Sequence, residues 1–448
     1  MTVTADRLAS RLEAIVGPSN LHISADASYF AAGIAPQLVA KPQAPEQIAE
    51  IVRFAAAEKT SIVPSGARTK LNLGMPPSRY DIALDVSHLN QLAFFDPGDL
   101  TVGADAGMPL AQLQSILAAE HQMLPLDVPF LDRATVGGAI AAGLDSPLRQ
   151  SYGTARDFLI GAEFVNGAGD LTKSGGRVVK NVTGYDLHKL LIGSLGTLAV
   201  ITRLNFKTFP LPEDEGGFIA SFSTLADALT LRDAIAKSPL RLSSFEILNA
   251  ALAVQLFHSQ PAASWLAIVT FEGHSGLLDR ISRELLNLAR SSNAAATELL
   301  DATPARQLRT GIREAIPTLQ SAIPFLTAMR LSLPPAYDAS LESLAATAAK
   351  LDLPWAILAR ASGSVYFFAA PTSDDDRSTN ALAALANDSF LLAAKQNGQG
   401  FLLSCPPQLK SRINAWGPAR SDFMLAQRVK QAFDPNNVFA PGRFAGGL

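Results

Sequence analysis

The segment PSGARTKLNLG, residues 64–74, places glycines near both of its ends, directly after a short apolar run. Two further glycine-bearing segments follow it, ATVGGAIAAG at 134–143 and GSLGT at 193–197. Small residues let backbone N–H groups approach an anion closely, and consecutive N–H groups at a turn or a helix start can form a phosphate nest. Each segment alone is also compatible with ordinary turn chemistry. Together the three indicate a site that would fit a pyrophosphate.

Two common phosphate-binding fingerprints are missing from these segments. None of them shows the strand–GxGxxG–helix pattern of dinucleotide-binding folds. None ends in the Gly-Lys-Ser/Thr of nucleoside triphosphatases either. Both of those folds are therefore disfavoured.

Length and composition limit the classes to which the protein can belong. A chain of 448 residues exceeds the size at which a single hydrophobic core stops growing, so two domains are expected. Hydrophobic residues make up 48% and charged residues 17%, which is typical of a globular protein. The 37 Lys and Arg nearly balance the 40 Asp and Glu, so the charge pattern of a nucleic-acid-binding protein is missing and no nucleic-acid partner is expected.

The expected location is the cytoplasm. A single cysteine, Cys405, cannot form an internal disulfide, which suits a reducing compartment. Charged residues interrupt the N-terminus, so it lacks the apolar region of a signal peptide. The most lipid-like stretch, LLIGSLGTLAVIT at 190–202, is shorter than the roughly 20 apolar residues that span a bilayer. We expect no transmembrane segment.

The first half of the chain predicts a mixed α/β domain over residues 1–210. Apolar residues at helical spacing predict a helix that ends at Gly17, and Pro45 opens a second helix. A third helix is expected over 109–119. Short apolar runs predict the strands, at 61–64, 81–86, 100–104, 159–166 and 198–207.

The stretch PLPEDEGG, residues 210–217, is the best linker candidate, and we place the domain boundary there. Residues 211–405 alternate strands and helices in a way that predicts two copies of an αβ unit with antiparallel sheet. Residues 406–448 include DPNNVFAPGR at 434–443, part of a turn-rich tail that we expect to return to the first domain.

The order of these segments over about 34–210 resembles the FAD-binding domain of the vanillyl-alcohol oxidase and p-cresol methylhydroxylase superfamily. The resemblance implies an α+β fold, with a two-subdomain FAD-binding domain followed by an αβ cap domain. FAD is then the implied cofactor. We expect it to be held non-covalently, because the glycine segments contain no His or Cys that could attach the flavin ring. In the first segment Ala67 and Arg68 stand where the superfamily often has glycines; Arg68 could add charge to a phosphate.

The resemblance also implies which residues bind FAD. In the order of the chain they are Ser65, Gly66, Ala67, Arg68, Thr69, Lys70, Leu71, Thr135, Val136, Gly137, Gly138, Gly143, Tyr152, Gly153, Arg156, Asp157, Gly196, Thr197, Val200 and Ile201. Lys180 and Asn181, in the string KNVTGYDLHKL at 180–190, are further candidate flavin neighbours. An ion pair between Arg156 and Asp157 could instead brace a loop.

Local patterns resemble most closely the family of FAD-binding E subunits of bacterial glycolate oxidases. They are GxxTKLxxG at 66–74, GGRVVKNVTGYD at 175–186 and the tail FDPNNVFAPGRF at 433–444. That resemblance implies a subunit that assists oxidation of glycolate to glyoxylate, beside a related FAD catalytic subunit and an iron–sulfur subunit that accepts the electrons. Such a complex would be cytoplasmic and peripheral to the inner membrane through its partners. Two alternatives stay open: a self-sufficient FAD oxidoreductase acting on a small hydroxy acid or alcohol, and a non-catalytic flavin-binding assembly subunit.

Catalytic residues cannot be assigned from the sequence, and no metal site is expected. The hydroxy-acid dehydrogenases of this superfamily typically hold a divalent metal with paired histidines, whereas none of the six histidines here lies at ligand spacing from another. Glu120-His121 is best interpreted as a solvated helix end. Glu246 and Glu272 are expected at strand ends, where a carboxylate is usually solvated. Tyr185 either lies beside the flavin or only packs and caps. We also expect a partner to cover some apolar surface of the cap.

Overall fold

The computed structural model describes residues 5–178, 184–258, 260–334, 337–371 and 373–448. The first part of the chain contains six α-helices in this description: α1 (Ala5–Val16), α2 (Pro45–Glu58), α3 (Leu110–Ala119), α4 (Val136–Ala142), α5 (Arg149–Tyr152) and α6 (Ala155–Phe158). Its strands are β1 (Leu21–His22), β2 (Leu38–Ala40), β3 (Ile62–Ser65), β4 (Ile82–Asp85), β5 (Leu92–Asp96), β6 (Thr101–Asp105), β7 (Gln122–Met123), β8 (Leu159–Val165), β9 (Leu171–Gly175), β10 (Val200–Lys207) and β11 (Phe209–Pro210).

Two sheets organise this first part. Strands β1-β2-β4-β3 form one sheet, in which β2, β4 and β3 run parallel. Strands β5-β6-β10-β8-β9 form a second, antiparallel sheet. The helix α2 begins at Pro45, whose fixed φ suits the first turn, and it buries Ile48, Ile51 and Val52. Two sheets in one region agree with the expected pair of subdomains.

The second part follows the first after a short connection. The strand β12 (Asp214–Phe222) starts inside the predicted linker, so only residues 211–213 separate it from β11. The other strands are β13 (Ser244–Asn249), β14 (Trp265–Gly273), β15 (Ala296–Leu300), β16 (Thr327–Ser332), β17 (Trp355–Arg360), β18 (Ser364–Ala369) and β19 (Gln399–Ser404). The helices are α7 (Leu225–Lys237), α8 (Ala250–Phe257), α9 (Ser275–Ser291), α10 (Ala302–Arg313), α11 (Ala315–Ala322), α12 (Asp338–Lys350) and α13 (Asp376–Lys395).

Eight of these strands form one antiparallel sheet in the order β15-β12-β14-β13-β17-β18-β16-β19. The second half is a βαββαβ unit, and the first half has the same order with α8 added between β13 and β14. The halves join where β13 pairs with β17, with Ile247 opposite Ala359. The predicted pair of αβ units is thus fused into one continuous sheet, and the predicted fold class is confirmed. The residues of the edge strand β15 are mostly exposed and show no alternation of burial.

The last helix, α14 (Phe423–Phe433), leads into a tail that lies against β3. The Ile62 N–H donates to the Val438 carbonyl over 2.8 Å, and the Ala440 N–H donates to the Ile62 carbonyl over 2.8 Å. The buried Asp434 carboxylate accepts from the Val438 N–H at 2.9 Å, which fixes the turn. The tail therefore carries the final residues of the chain to the loop that follows β3.

No helix in the described part of the chain combines the length and the apolarity needed to cross a bilayer.

Candidate cofactor site

The glycine segments surround one cavity of about 730 Å³, its open mouth included. The predicted residues that line it are Ser65, Gly66, Ala67, Arg68, Thr69, Lys70, Leu71, Thr135, Gly137, Gly138, Gly196, Val200 and Ile201. The lining residues that the sequence did not single out are Pro64, Val86, Ala106, Ala141, Ala142, Leu195, Ala199 and Arg443.

The first glycine loop presents unpaired N–H groups at this cavity. The N–H groups of Ala67, Arg68, Thr69 and Lys70 have no hydrogen-bond partner among the described residues. The Ser65 hydroxyl, which also lines the cavity, is buried without a partner. Buried polar groups in folded proteins are almost always satisfied, so the Ser65 hydroxyl calls for a ligand partner. Consecutive free N–H groups suit an anion such as a pyrophosphate.

Arg443 binds carbonyl groups that follow in the same loop. Its Nη2 donates to the carbonyls of Leu71 and Leu73, at 2.9 and 2.7 Å. The side chain is buried, its Nε has no partner, and no carboxylate within the described residues forms an ion pair with it. Burial lowers the pKa of Arg443 to about 10. An unbalanced cation in the wall of the cavity favours an anionic ligand.

Lys410 also binds carbonyl groups of this loop. Its Nζ donates to the carbonyls of Asn72 and Gly74, the latter at 2.7 Å. Burial lowers the pKa of this ammonium to about 8. The two buried cations thus bind four successive carbonyls, those of residues 71–74, and leave the preceding N–H groups of the loop unpaired.

Arg68 forms an ion pair within the protein. Its Nη1 donates to the buried Asp85 carboxylate over 2.8 Å, and its guanidinium lies 4.4 Å from the ring centroid of Tyr29. Since Asp85 already balances this charge, the guanidinium braces the loop. The residue has a φ of +63°, a conformation that glycine adopts more easily.

The second glycine segment supplies close packing instead of free donors. A Cβ on Gly66 would lie 2.2 Å from the Thr135 hydroxyl oxygen, so the first two segments touch only because this residue has no side chain. The sequence suggested a phosphate nest here, yet the three N–H groups at the start of α4 are already bonded. Those of Val136, Gly137 and Gly138 donate to the carbonyls of Met108 and Ala106 and to the Thr135 hydroxyl.

Several predicted residues do not line this cavity. They are Val136, Gly143, Tyr152, Gly153, Arg156, Asp157 and Thr197. The Asp157 carboxylate accepts from the Thr154 N–H at 2.7 Å and caps α6, which favours the loop-bracing alternative, although its partner there is Thr154 and not Arg156. The Thr197 hydroxyl donates to the Ser194 carbonyl over 2.7 Å. Tyr185 is 90% exposed, so its ring does not pack. Lys180 and Asn181 lie outside the described residues.

Tyr152 links the two parts of the molecule. Its hydroxyl donates to the Glu272 carboxylate over 2.7 Å, so Glu272 is paired and not simply solvated. The expectation of a solvated carboxylate is also wrong for Glu246, which is 1% exposed because β13 is an interior strand of the eight-stranded sheet. Burial raises the pKa of Glu246 to about 7. A carboxyl group with this pKa can take up or release a proton near neutral pH.

Metal-ligating side chains do not cluster in the described part of the chain, where no three His, Cys, Asp or Glu residues are placed to hold an ion. The buried His188 instead contacts the Ser174 hydroxyl, with 3.0 Å between Nδ1 and Oγ. His274 caps α9, accepting from the Leu277 N–H at 3.3 Å.

Comparison with known proteins supports FAD as the ligand of this cavity. Residues 36–175 match the family described as FAD binding domain. Glycolate oxidase subunit GlcE of Escherichia coli (strain K12) is 38% identical over 168 residues, which are 37% of this chain and 47% of that protein. Glycolate oxidase subunit GlcD of Bacillus subtilis (strain 168) is 31% identical over 202 residues, 45% of this chain and 43% of that protein. The matched region thus spans less than half the length of either relative.

Solved structures extend the likeness to the whole fold. A structure of p-cresol methylhydroxylase with substrate bound has a TM-score of 0.78 at 17% identity, covering 98% of this chain and 96% of that one. A structure of alkyldihydroxyacetonephosphate synthase has a TM-score of 0.73 at 18% identity, covering 98% and 85%. The expected resemblance is confirmed: the chain carries a FAD binding domain, and FAD is its cofactor. The free loop N–H groups, the Ser65 hydroxyl and Arg443 fit the anionic diphosphate of that cofactor.

Proposed function

We propose that this chain is a FAD-binding subunit of a 2-hydroxy acid dehydrogenase complex of the glycolate oxidase type. The observation that carries the proposal is the loop of residues 67–70, whose unpaired N–H groups face the cavity opposite the unbalanced Arg443. The similarity to two glycolate oxidase subunits supports the substrate class.

The residues that we assign to the cofactor act by binding and orientation. N–H groups of Ala67 to Lys70 hold the diphosphate, and Arg443 adds positive charge in the wall. Bound FAD supplies the isoalloxazine ring that accepts a hydride. We infer a non-covalent attachment, since the lining contributed by the described residues contains no His or Cys. Acid precipitation tests this: flavin should appear in the supernatant, and flavin retained in the pellet would contradict it.

The proposed assembly places this chain beside a related FAD catalytic subunit and an iron–sulfur subunit. Residues 1–210 and the returning tail 406–448 form its FAD-binding unit, and residues 211–405 form the cap. In the complex, glycolate is oxidised to glyoxylate and the electrons leave through the iron–sulfur partner. We place the complex in the cytoplasm, peripheral to the inner membrane through its partners.

A second candidate is a self-sufficient FAD oxidoreductase for a small hydroxy acid. The buried Glu246, with its pKa near 7, favours this candidate because it offers a proton acceptor on the cap sheet.

Anaerobic mixing with glycolate and with D-lactate separates the two candidates. As a subunit of the complex, the pure chain should keep its oxidised flavin spectrum, whereas the complex co-expressed with both partners should bleach. Rapid bleaching of the isolated chain would establish the self-sufficient enzyme instead. Full activity of the two partners without this chain would contradict the proposed role in the complex.

A further inference from the structure

The junction between α10 and α11, in the second part of the chain, binds a loop of the first part. The Glu314 carboxylate accepts hydrogen bonds from the N–H groups of Phe130 and Leu131, at 2.8 and 3.3 Å. Arg313, the residue before it, donates to the Asp127 carboxylate over 3.0 Å and to Glu314 over 2.8 Å. The loop between β7 and α4 is therefore held by two adjacent side chains from the other part of the molecule.

Phe130 occupies a turn whose backbone needs such support. Its φ is +62°, a conformation that bulky residues rarely adopt. Its carbonyl accepts from the N–H groups of Arg133 and Ala134, at 3.0 and 2.7 Å, so the turn leads directly to Thr135 and the second glycine segment. Strained backbone persists where the surrounding contacts fix it. Glu314 supplies that fixed contact from the other part of the chain.

The ring of Phe130 faces Lys70, the last residue of the loop that presents free N–H groups to the FAD cavity. Lys70 Nζ lies 5.3 Å from the ring centroid, a distance at which an aromatic ring attracts an ammonium group. The same ammonium donates to the Thr69 hydroxyl over 3.2 Å, and Lys70 lines the cavity. Burial lowers the pKa of Lys70 to about 8, and the negative charge of Glu314 acts in the opposite direction.

We propose that Glu314 is a positioning residue for the cofactor, which places the Lys70 ammonium in the wall of the FAD cavity through Phe130. Without the carboxylate, the N–H groups of the turn lose their acceptor, and the ring that supports the ammonium loses its fixed place. FAD binding and the docking of the two parts of the chain then strengthen each other. The inference rests on the proposed function only in assigning the loop of residues 67–70 to the FAD diphosphate, and it does not depend on the substrate.

Titration of the apoprotein with FAD, followed by the quenching of flavin fluorescence, tests the proposal in a double-mutant cycle. We expect Lys70→Met to raise the Kd for FAD about tenfold, as for loss of a charged contact. Glu314→Gln should raise the Kd about fivefold in the wild-type background. Because Glu314 acts through Lys70, the same substitution should raise it less than about twofold in the Lys70→Met background.

Glu272→Gln is the matched control, because Glu272 also joins the two parts of the chain but does so through Tyr152. Any effect of this substitution on the Kd should be the same factor with and without Lys70→Met. If Glu314→Gln also changes the Kd by one factor in both backgrounds, the carboxylate acts by general docking of the two parts, and the proposal is overturned.

The pH dependence of FAD affinity is a readout that general loosening would not move. The wild-type affinity should fall as the pH rises through about 8, where the Lys70 ammonium loses its proton. Lys410 titrates in the same range, so the quantity to compare is the shift between variants. Glu314→Gln removes the charge that raises the pKa of Lys70 and should move the fall to a lower pH, whereas Glu272→Gln should leave it in place. Identical profiles for Glu314→Gln and the wild type would overturn the proposal.

Phe130→Leu tests the same link without altering a charge or the backbone bonds to Glu314. We expect this variant to raise the Kd for FAD about threefold in the wild-type background and to have little effect in the Lys70→Met background. An unchanged Kd in Phe130→Leu, beside a raised Kd in Lys70→Met, would contradict the positioning role alone. An unchanged Kd in both Lys70→Met and Arg443→Gln would overturn the inference together with the proposed diphosphate site.

Discussion

The Nη2 atom of Arg443 donates to the carbonyl oxygen of Leu71 over 2.9 Å, although 372 positions separate the two residues. The contact makes the end of the chain part of the cofactor site. Together with Lys410 it binds the carbonyls of the loop, and the N–H groups of Ala67 to Lys70 are left for a ligand. The conformation of the loop therefore depends on a side chain that the C-terminal tail supplies.

Replacement of Arg443 should weaken FAD binding. Arg443→Gln removes a buried charge and two hydrogen bonds to the loop, so we expect the Kd for FAD to rise at least about tenfold. Flavin fluorescence quenching during titration of the apoprotein measures the Kd. Arg428→Gln, on the exposed side of α14, serves as the control and should bind FAD normally. An unchanged Kd for Arg443→Gln would show that the cation is not part of the site.

Gly66→Ala should separate the two glycine segments. The added methyl group would lie 2.2 Å from the Thr135 hydroxyl oxygen, so one segment must move. We expect a loss of about 1–3 kcal/mol in the free energy of unfolding and a lower flavin content after purification. Gly98→Ala is the matched control, because its nearest contact, Asp96 Oδ1, would be 3.6 Å away. Equal flavin content in both variants would contradict the role of this close contact.

Arg68→Gln should reduce stability more than it reduces FAD affinity. The variant leaves the buried Asp85 without its cation, so we expect about 1–3 kcal/mol of destabilisation in urea unfolding. Because Asp85 already balances Arg68, the Kd for FAD should change less than in Arg443→Gln. A large loss of affinity with unchanged stability would instead indicate a direct bond from Arg68 to a phosphate.

Glu246→Gln should change how stability depends on pH. Burial raises the pKa of Glu246 from its usual 4.5 to about 7, so the folded state holds this proton more tightly than the unfolded state. The group therefore costs nothing below pH 4.5, and its cost grows as pH rises to 7. Above pH 7 the variant should be more stable than the wild type by about 3 kcal/mol, and the two should converge near pH 4. A constant difference across this range would show that Glu246 does not titrate as described.

The sequence predicted the cofactor loops because their residue types determine their local geometry. Ser65 to Leu71 line the cavity as expected, and so do Gly137, Gly138 and Gly196. The helix that opens at Pro45 and the strand before Ser65 also follow from local patterns. Turn residues and short apolar runs carry this information within a few positions.

Contacts between distant parts of the chain could not be predicted in the same way. Arg443 belongs to a tail motif that the sequence analysis noted, but only the fold places its guanidinium beside the loop. Glu246 looks like a solvated strand end until β13 is paired on both sides. The pairing of Arg68 with Asp85 likewise depends on the meeting of two parallel strands.

The central claim is that the diphosphate of FAD binds to the N–H groups of residues 67–70 opposite Arg443. Titration of the apoprotein with FAD and, separately, with riboflavin tests it most directly, because riboflavin has the same ring without phosphates. We predict one FAD per chain, a higher unfolding temperature with FAD, and riboflavin binding at least about a hundredfold weaker. Equal affinities for FAD and riboflavin, or no uptake of FAD, would contradict the claim.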